Sequence, residues 1–217
     1  MKRGAIFDMD GTLFDTERYY RQAWGKAAVE FGKEPNLTFN DAVSGTSTAE
    51  EFVRIIKKFY PDIDAPAYLE RVLELVHIWS EEKLIIMEGV EDILNFLQAS
   101  GVKCAVASSS PAEFIERNLI RSKLRGYFEF FVGGDQITNG KPAPDIFLLA
   151  AEKINIAPTD CYVFEDSRNG ILAADAAGCA PVLIIDQYKP DEHIKNLCAG
   201  VYDNFTQAVA ALKRGDI

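Results

Sequence analysis

The 217-residue sequence predicts an α/β fold, a doubly wound parallel sheet interrupted by an all-helical insertion. Three observations predict it. Short apolar runs alternate with helical patterns from Gly89 onward, as strands and helices alternate in a parallel sheet. One apolar run, Gly4-Ala5-Ile6-Phe7, stands apart near the N-terminus. Between it and the next strand–helix unit lie roughly 70 residues of helical pattern, far more than a connection needs.

Taken in order, Gly4–Phe7 is the first strand, buried on both faces by its composition. The insertion follows. Tyr20, Trp24, Ala27, Ala28 and Phe31 recur at helical spacing, as do Phe52, Ile55, Ile56 and Phe59, and then Leu69, Val72, Leu73 and Val76. Gly45 and Pro61-Asp62 mark turns between these helices. The expected division is a helical cap domain over 16–84 and a Rossmann-like core over 1–15 and 85–217. In the core, Val90, Ile93, Leu94 and Leu97 give a helix, and Lys103–Ala107 a strand. Phe114, Ile115 and Leu119 give the next helix, opened by Pro111 at a first-turn position. Phe128–Val132 reads as a strand, Ile146–Ile154 as a helix, Cys161–Phe164 as a strand and Ile171–Ala177 as a helix. Val182–Ile185 is a last strand, and Phe205–Leu212 a last helix.

Composition narrows the function classes. A hydrophobic fraction of 48% with both charge signs interspersed suits a globular protein. The net charge of −10 argues against a nucleic-acid partner, because no basic patch balances phosphate repulsion. No apolar run approaches the ~20 residues of a membrane span, and the N-terminus enters a strand pattern instead of a signal peptide. A cytoplasmic monomer that does not touch membranes is expected. Cys104, Cys161, Cys179 and Cys198 lack Cys-x-x-Cys spacing. They read as small core residues in a reducing compartment, not as a zinc or disulfide set.

Polar groups at the carboxyl ends of parallel strands meet in one crevice. Asp8 and Asp10 follow the first strand, and Ser108-Ser109-Ser110 follows Lys103–Ala107. Lys141 lies in Asn139-Gly140-Lys141-Pro142-Ala143-Pro144 after the third strand, and Glu165-Asp166 follows the fourth. Each cluster taken alone has a plainer reading. Ser110 before Pro111 reads as a helix N-cap, Lys141 as a surface lysine, and Glu165-Asp166-Ser167 as a cap for the following helix. Asp8 and Asp10 read as turn formers. Such accidents do not fall together at every strand end, and two carboxylates one residue apart are costly unless a cation or chemistry uses them.

The series Asp8-x-Asp10-Gly-Thr, Ser108, Lys141 and Glu165-Asp166 resembles the four motifs of the haloacid dehalogenase (HAD) superfamily, across essentially the whole chain. Lys141-Pro142-Ala143-Pro144-Asp145 and Glu165-Asp166-Ser167-Arg168-Asn169-Gly170, followed by Ala173-Ala174 and Ala177-Gly178, look like its β-phosphoglucomutase-like subfamily. The helical insertion resembles that subfamily's cap. The resemblance implies a Mg²⁺-dependent phosphatase that acts on a small phosphorylated metabolite, expected to be a sugar phosphate, through an aspartyl-phosphate. It makes Asp8 the nucleophile and Asp10 the proton carrier. Ser108, Ser109 and Lys141 would hold the phosphate, with Tyr20 of the cap near the substrate. Asp8, the main-chain carbonyl of Asp10, and Asp166 would hold the metal, with Glu165 close behind. Trp24 is expected to pack the cap core, and His77 and His193 have no part in the mechanism.

A mutase is the alternative. The mutase pattern has a His where this chain has Tyr20, and an Arg where Thr48 stands near Ser44-Gly45-Thr46-Ser47, so hydrolysis is favoured. A dehalogenase would lack the second acid, which Asp10 supplies. A phosphate-binding protein without activity would lack a nucleophile or a metal ligand, and this chain has both.

Overall fold

A computed structural model describes residues 1–36, 38–43, 49–186 and 188–217. Thr48, with Ser44-Gly45-Thr46-Ser47, lies outside the described residues. The chain divides into two compact units, one of Met1–Phe14 with Ile86–Ile217 and the other of Asp15–Ile85.

The larger unit is the sheet. Its strands are β1 (Gly4–Phe7), β2 (Lys103–Ser108), β3 (Phe130–Gly133), β4 (Cys161–Glu165), β5 (Ala180–Ile184) and β6 (Gly200–Tyr202). Among the described residues they form one six-stranded sheet in the order β3-β2-β1-β4-β5-β6, and every pairing is parallel. The chain steps outward from β1 through β2 to β3, then returns to the other side of β1 for β4. That reversal makes the carboxyl end of β1 the switch point, where a doubly wound sheet opens a crevice. β1 is fully buried and pairs with both neighbours, Phe7 opposite Val106 on one side and Phe164 on the other. The ladder continues one residue further, as Asp8 N donates to Phe164 O at 2.9 Å. Asp8 is thereby held at a fixed height above the strand end.

In that unit the helices are α5 (Val90–Ala99), α6 (Ala112–Arg121), α7 (Asp145–Lys153), α8 (Arg168–Ala176), α9 (Glu192–Leu197) and α10 (Phe205–Arg214). α7 and α8 lay Ile146, Phe147, Ala150, Ala173 and Ala174 against Ile6, Ala105, Val132 and Val163 of the sheet. Small alanines on these faces let helix and sheet approach closely. Several expectations shift: the strand expected last, over Val182–Ile185, is β5 over Ala180–Ile184, and β6 follows it. The third strand begins at Phe130 and not Phe128, because a short 3-10 turn over Arg125–Tyr127 precedes it and leaves Phe128 as a buried loop residue. α9 and β6 were not anticipated. Both are short, and β6 lacks the apolar run that marked the other strands.

The helical unit comprises α1 (Glu17–Glu30), α2 (Phe39–Val43), α3 (Ala49–Phe59) and α4 (Ala65–Glu82). Asp64 caps α4 by accepting from Ala67 N at 3.2 Å, and Pro66 in its first turn has no amide to satisfy. The interior is aromatic. Trp24 lies 5.1 Å from Phe39 and 5.9 Å from Tyr68, centroid to centroid, and Tyr68 is fully buried. Trp24 therefore packs the core of this unit as expected. Tyr20 is half-buried and packs against the same cluster. His77 is exposed beside Glu81, and His193 is exposed at the start of α9. No helix among the described residues is long and apolar enough to cross a membrane. The chain leaves and re-enters the sheet unit at one place, where Phe14 bridges Ile86 in antiparallel sense and Met87 N donates to Leu13 O at 3.0 Å.

Candidate active site

The four clusters meet at the carboxyl end of β1. Lys141 comes from the loop before α7, and its Nζ donates to Asp8 Oδ1 at 2.5 Å and to Glu165 Oε1 at 2.6 Å. All three side chains are buried. A longer contact runs from Nζ to Ala107 O at 3.4 Å, and the Phe147 ring centroid lies 5.0 Å away. Lys141 is thus not the surface lysine that its Pro-rich turn suggests. It is buried because it has two carboxylates to meet.

Glu165 ends β4 with its carboxylate fully engaged. Its Oε2 accepts from Asp166 N at 2.9 Å, Ser167 N at 2.7 Å and Ser167 Oγ at 2.8 Å, while Oε1 takes Lys141. Ser167 does two jobs, because its Oγ also accepts from Gly170 N at 3.1 Å and so caps α8. Gly170 is required here, since a Cβ at that position would overlap the Glu165 carboxylate. Asp166 points toward the β1 loop, accepting from Thr12 Oγ1 at 3.2 Å. Gly11 has a φ of +79° and faces the Asp166 carboxylate, which a side chain at residue 11 would displace.

Asp10 has a different environment. Its Oδ2 accepts from Ser110 Oγ at 2.9 Å and from Ser108 Oγ at 3.3 Å. Ser110 is therefore no N-cap. The cap position of α6 is Pro111, without a side-chain acceptor, and Ser110 turns to Asp10 instead. Sequence reasoning named Ser108 and missed Ser110, because a Ser before a Pro carries the same local signal in either role. Ser108 Oγ also accepts from Ser110 N at 3.1 Å. Ser109 is exposed, with its main chain packed against Gly134.

Burial and neighbouring charge together set the state of Asp8. Burial pushes the Asp8 carboxyl up to about 8; Lys141 pulls against this, and Glu165 and Asp10 add to it. Burial also works against the Lys141 ammonium, yet the Asp8 and Glu165 carboxylates raise it overall, so it stays charged. One lysine faces more carboxylate than it can neutralise. Asp8, Glu165 and Asp166 each offer an oxygen within 4.8 Å of the others, which makes them the acidic group able to hold a metal among the described residues. The side chain of Asp10 is not in that group. The oxygen-only donor set fits a hard dication such as Mg²⁺.

Known proteins place these features in context. A family profile of haloacid dehalogenase-like hydrolases matches residues 2–178. A phosphorylated carbohydrates phosphatase of Thermotoga maritima is 35% identical over 179 residues, covering 80% of this chain and 80% of that one. The fructose-1-phosphate phosphatase of Escherichia coli is 34% identical over 180 residues, covering 81% of this chain and 92% of that protein. The solved β-phosphoglucomutase of Clostridium difficile superposes with a TM-score of 0.80 at 25% identity, over 100% of this chain and 97% of that one.

Proposed function

Since the chain belongs to the haloacid dehalogenase-like hydrolase family, we propose that it hydrolyses a small phosphomonoester, a sugar phosphate, through an aspartyl-phosphate at Asp8. The observation that carries this reading is the unequal environment of two acids one residue apart. Asp8 sits buried against Lys141, while Asp10 rests on two neutral hydroxyls. Unequal surroundings give like groups unlike tasks.

In the first half-reaction an Asp8 oxygen bonds to phosphorus and the ester P–O bond breaks. Asp10 gives its proton to the departing alcohol oxygen. In the second, Asp10 takes a proton from water, the water oxygen bonds to phosphorus, and the Asp8–phosphorus bond breaks to release phosphate. Lys141 balances charge on Asp8 and on the phosphoryl oxygens, and Ser108 with the main chain at Ser109 holds those oxygens at the start of α6. Asp8, Asp166 and the Asp10 main-chain carbonyl would hold Mg²⁺, with Glu165 locking Lys141 and the turn behind them. Bound Mg²⁺ supplies charge neutralisation between the anionic nucleophile and the anionic substrate. Selection among phosphomonoesters falls to the helical insertion, in which Tyr20 lies.

The test is phosphate release from an aryl phosphate and a panel of sugar phosphates, with and without Mg²⁺. Asp8→Asn is expected to lower kcat by roughly 10⁴-fold or more. A wild-type rate in that variant would sink the mechanism. Full-length likeness to a β-phosphoglucomutase supports the second reading, phosphosugar isomerisation. Incubation with β-glucose 1-phosphate and a trace of bisphosphate separates the two, by isomer formed or phosphate freed.

A further inference from the structure

Helix α6 starts without a cap of its own. Pro111 at the cap position offers no side-chain acceptor, so the amide of Ala112 needs one from elsewhere. The acceptor comes from 23 residues further along: Asp135 Oδ1 takes Ala112 N at 2.9 Å. Asp135 belongs to a 3-10 turn, Gly134–Gln136, that follows β3 directly. Gln136 Oε1 closes that turn on Gly133 N at 2.8 Å, and Gly134 N donates to Ser110 O at 3.1 Å. The two segments lie so close that a Cβ on Gly134 would overlap the Ser109 carbonyl, and one on Gly133 would overlap Ala112 N. Glycine is required at both places by this approach and not by φ.

The main chain from Ser109 to Ala112 is therefore clamped from outside by Gly133–Gln136. Ser108 directly precedes the clamped segment and Ser110 lies within it, and the hydroxyls of both meet Asp10. It also carries the amides assigned to the phosphate. We infer that Asp135 is a positioning residue: by accepting the Ala112 amide it fixes the Ser108–Ser110 turn, and with it the anion cradle and the orientation of Asp10. Its side chain is exposed, and it acts in this role through the Ala112 amide. A carboxylate is not needed for the work. Any planar side-chain oxygen of that reach accepts the same amide, and Asn does so without charge.

The inference rests on the proposed phosphatase reading only in taking phosphate as the cradle's ligand. Its test is the affinity for inorganic phosphate in Mg²⁺ buffer, read by calorimetry, so that it does not depend on turnover. Asp135→Ala is expected to weaken phosphate roughly tenfold, more than its melting temperature would suggest, since an exposed cap contributes little to global stability. Asp135→Asn should remain within about twofold of wild type. Gly134→Ala, which pushes on the Ser109 carbonyl, should weaken phosphate as Asp135→Ala does. The inference is overturned if Asp135→Ala binds phosphate like wild type, or if Asn fails to rescue what Ala loses. A wild-type protein that frees phosphate from no ester, yet shows this order of affinities, would refute the phosphatase reading and leave the positioning role standing.

Discussion

In the helical unit, buried tyrosine hydroxyls end on main-chain carbonyls: Tyr68 on Trp24 O at 2.7 Å, Tyr60 on Glu34 O at 3.2 Å, and Tyr19 on Lys83 O. At the sheet edge, charged side chains end on one another. Lys141 meets Asp8 and Glu165, with Asp166 and Asp10 close by. The first pattern is neutral and complete, and it lets aromatic rings fill a small core while their polar tips stay satisfied. The second carries excess negative charge in a buried place. Folding gains little from such an arrangement, and it is on this cluster that the proposed chemistry and cation rest.

Three substitutions test that contrast. Lys141→Ala should have the largest effect, costing about 3–5 kcal/mol by leaving two carboxylates buried without their counter-charge. Urea unfolding with and without Mg²⁺ reads it, and the cation should return part of the loss. Stability unchanged in that variant would mean that the edge holds no electrostatic strain. Trp24→Ala should cost about 3 kcal/mol by opening a cavity among Phe39, Phe52 and Tyr68. Hydrogen exchange should show the loss in amides of 15–85, with the sheet amides still protected. Uniform loss over both units would break the distinction drawn between them. Smallest is Ser167→Ala, which removes the cap of α8 and one donor to Glu165, for about 1 kcal/mol in thermal unfolding. A larger fall in kcat than in stability would sharpen the case that Glu165 positions Lys141.

The sheet and the heart of its site are legible in the sequence because two local signals coincide. Apolar runs such as Gly4–Phe7 and Cys161–Phe164 end where polar clusters begin, and parallel topology brings those ends together. Ser110 was not legible, because its choice between the α6 amides and Asp10 depends on a partner 100 positions away. Asp135 is hidden for the same reason, since nothing near it in sequence shows that α6 lacks a cap. Phe147 falls within the Ile146–Ile154 helical pattern, and nothing in that pattern shows that its ring also faces the Lys141 ammonium. In the helical unit the apolar periodicity located its longer helices, while α2, only five residues long, has too little pattern to register.

The pairing of Phe14 with Ile86, extended by Met87 on Leu13 and by Asp15 N on Ile85 O at 2.9 Å, has a consequence for how this chain can vary. Both ends of the insertion leave from neighbouring antiparallel backbones, the geometry that a two-residue hairpin turn closes. From the standpoint of the sheet, everything between those ends is one surface loop, and lengthening such a loop adds little closure entropy. The whole helical unit is therefore a graft point. Another insertion, or a bare turn, joined at the same neck would leave the pairing of the strands as it is.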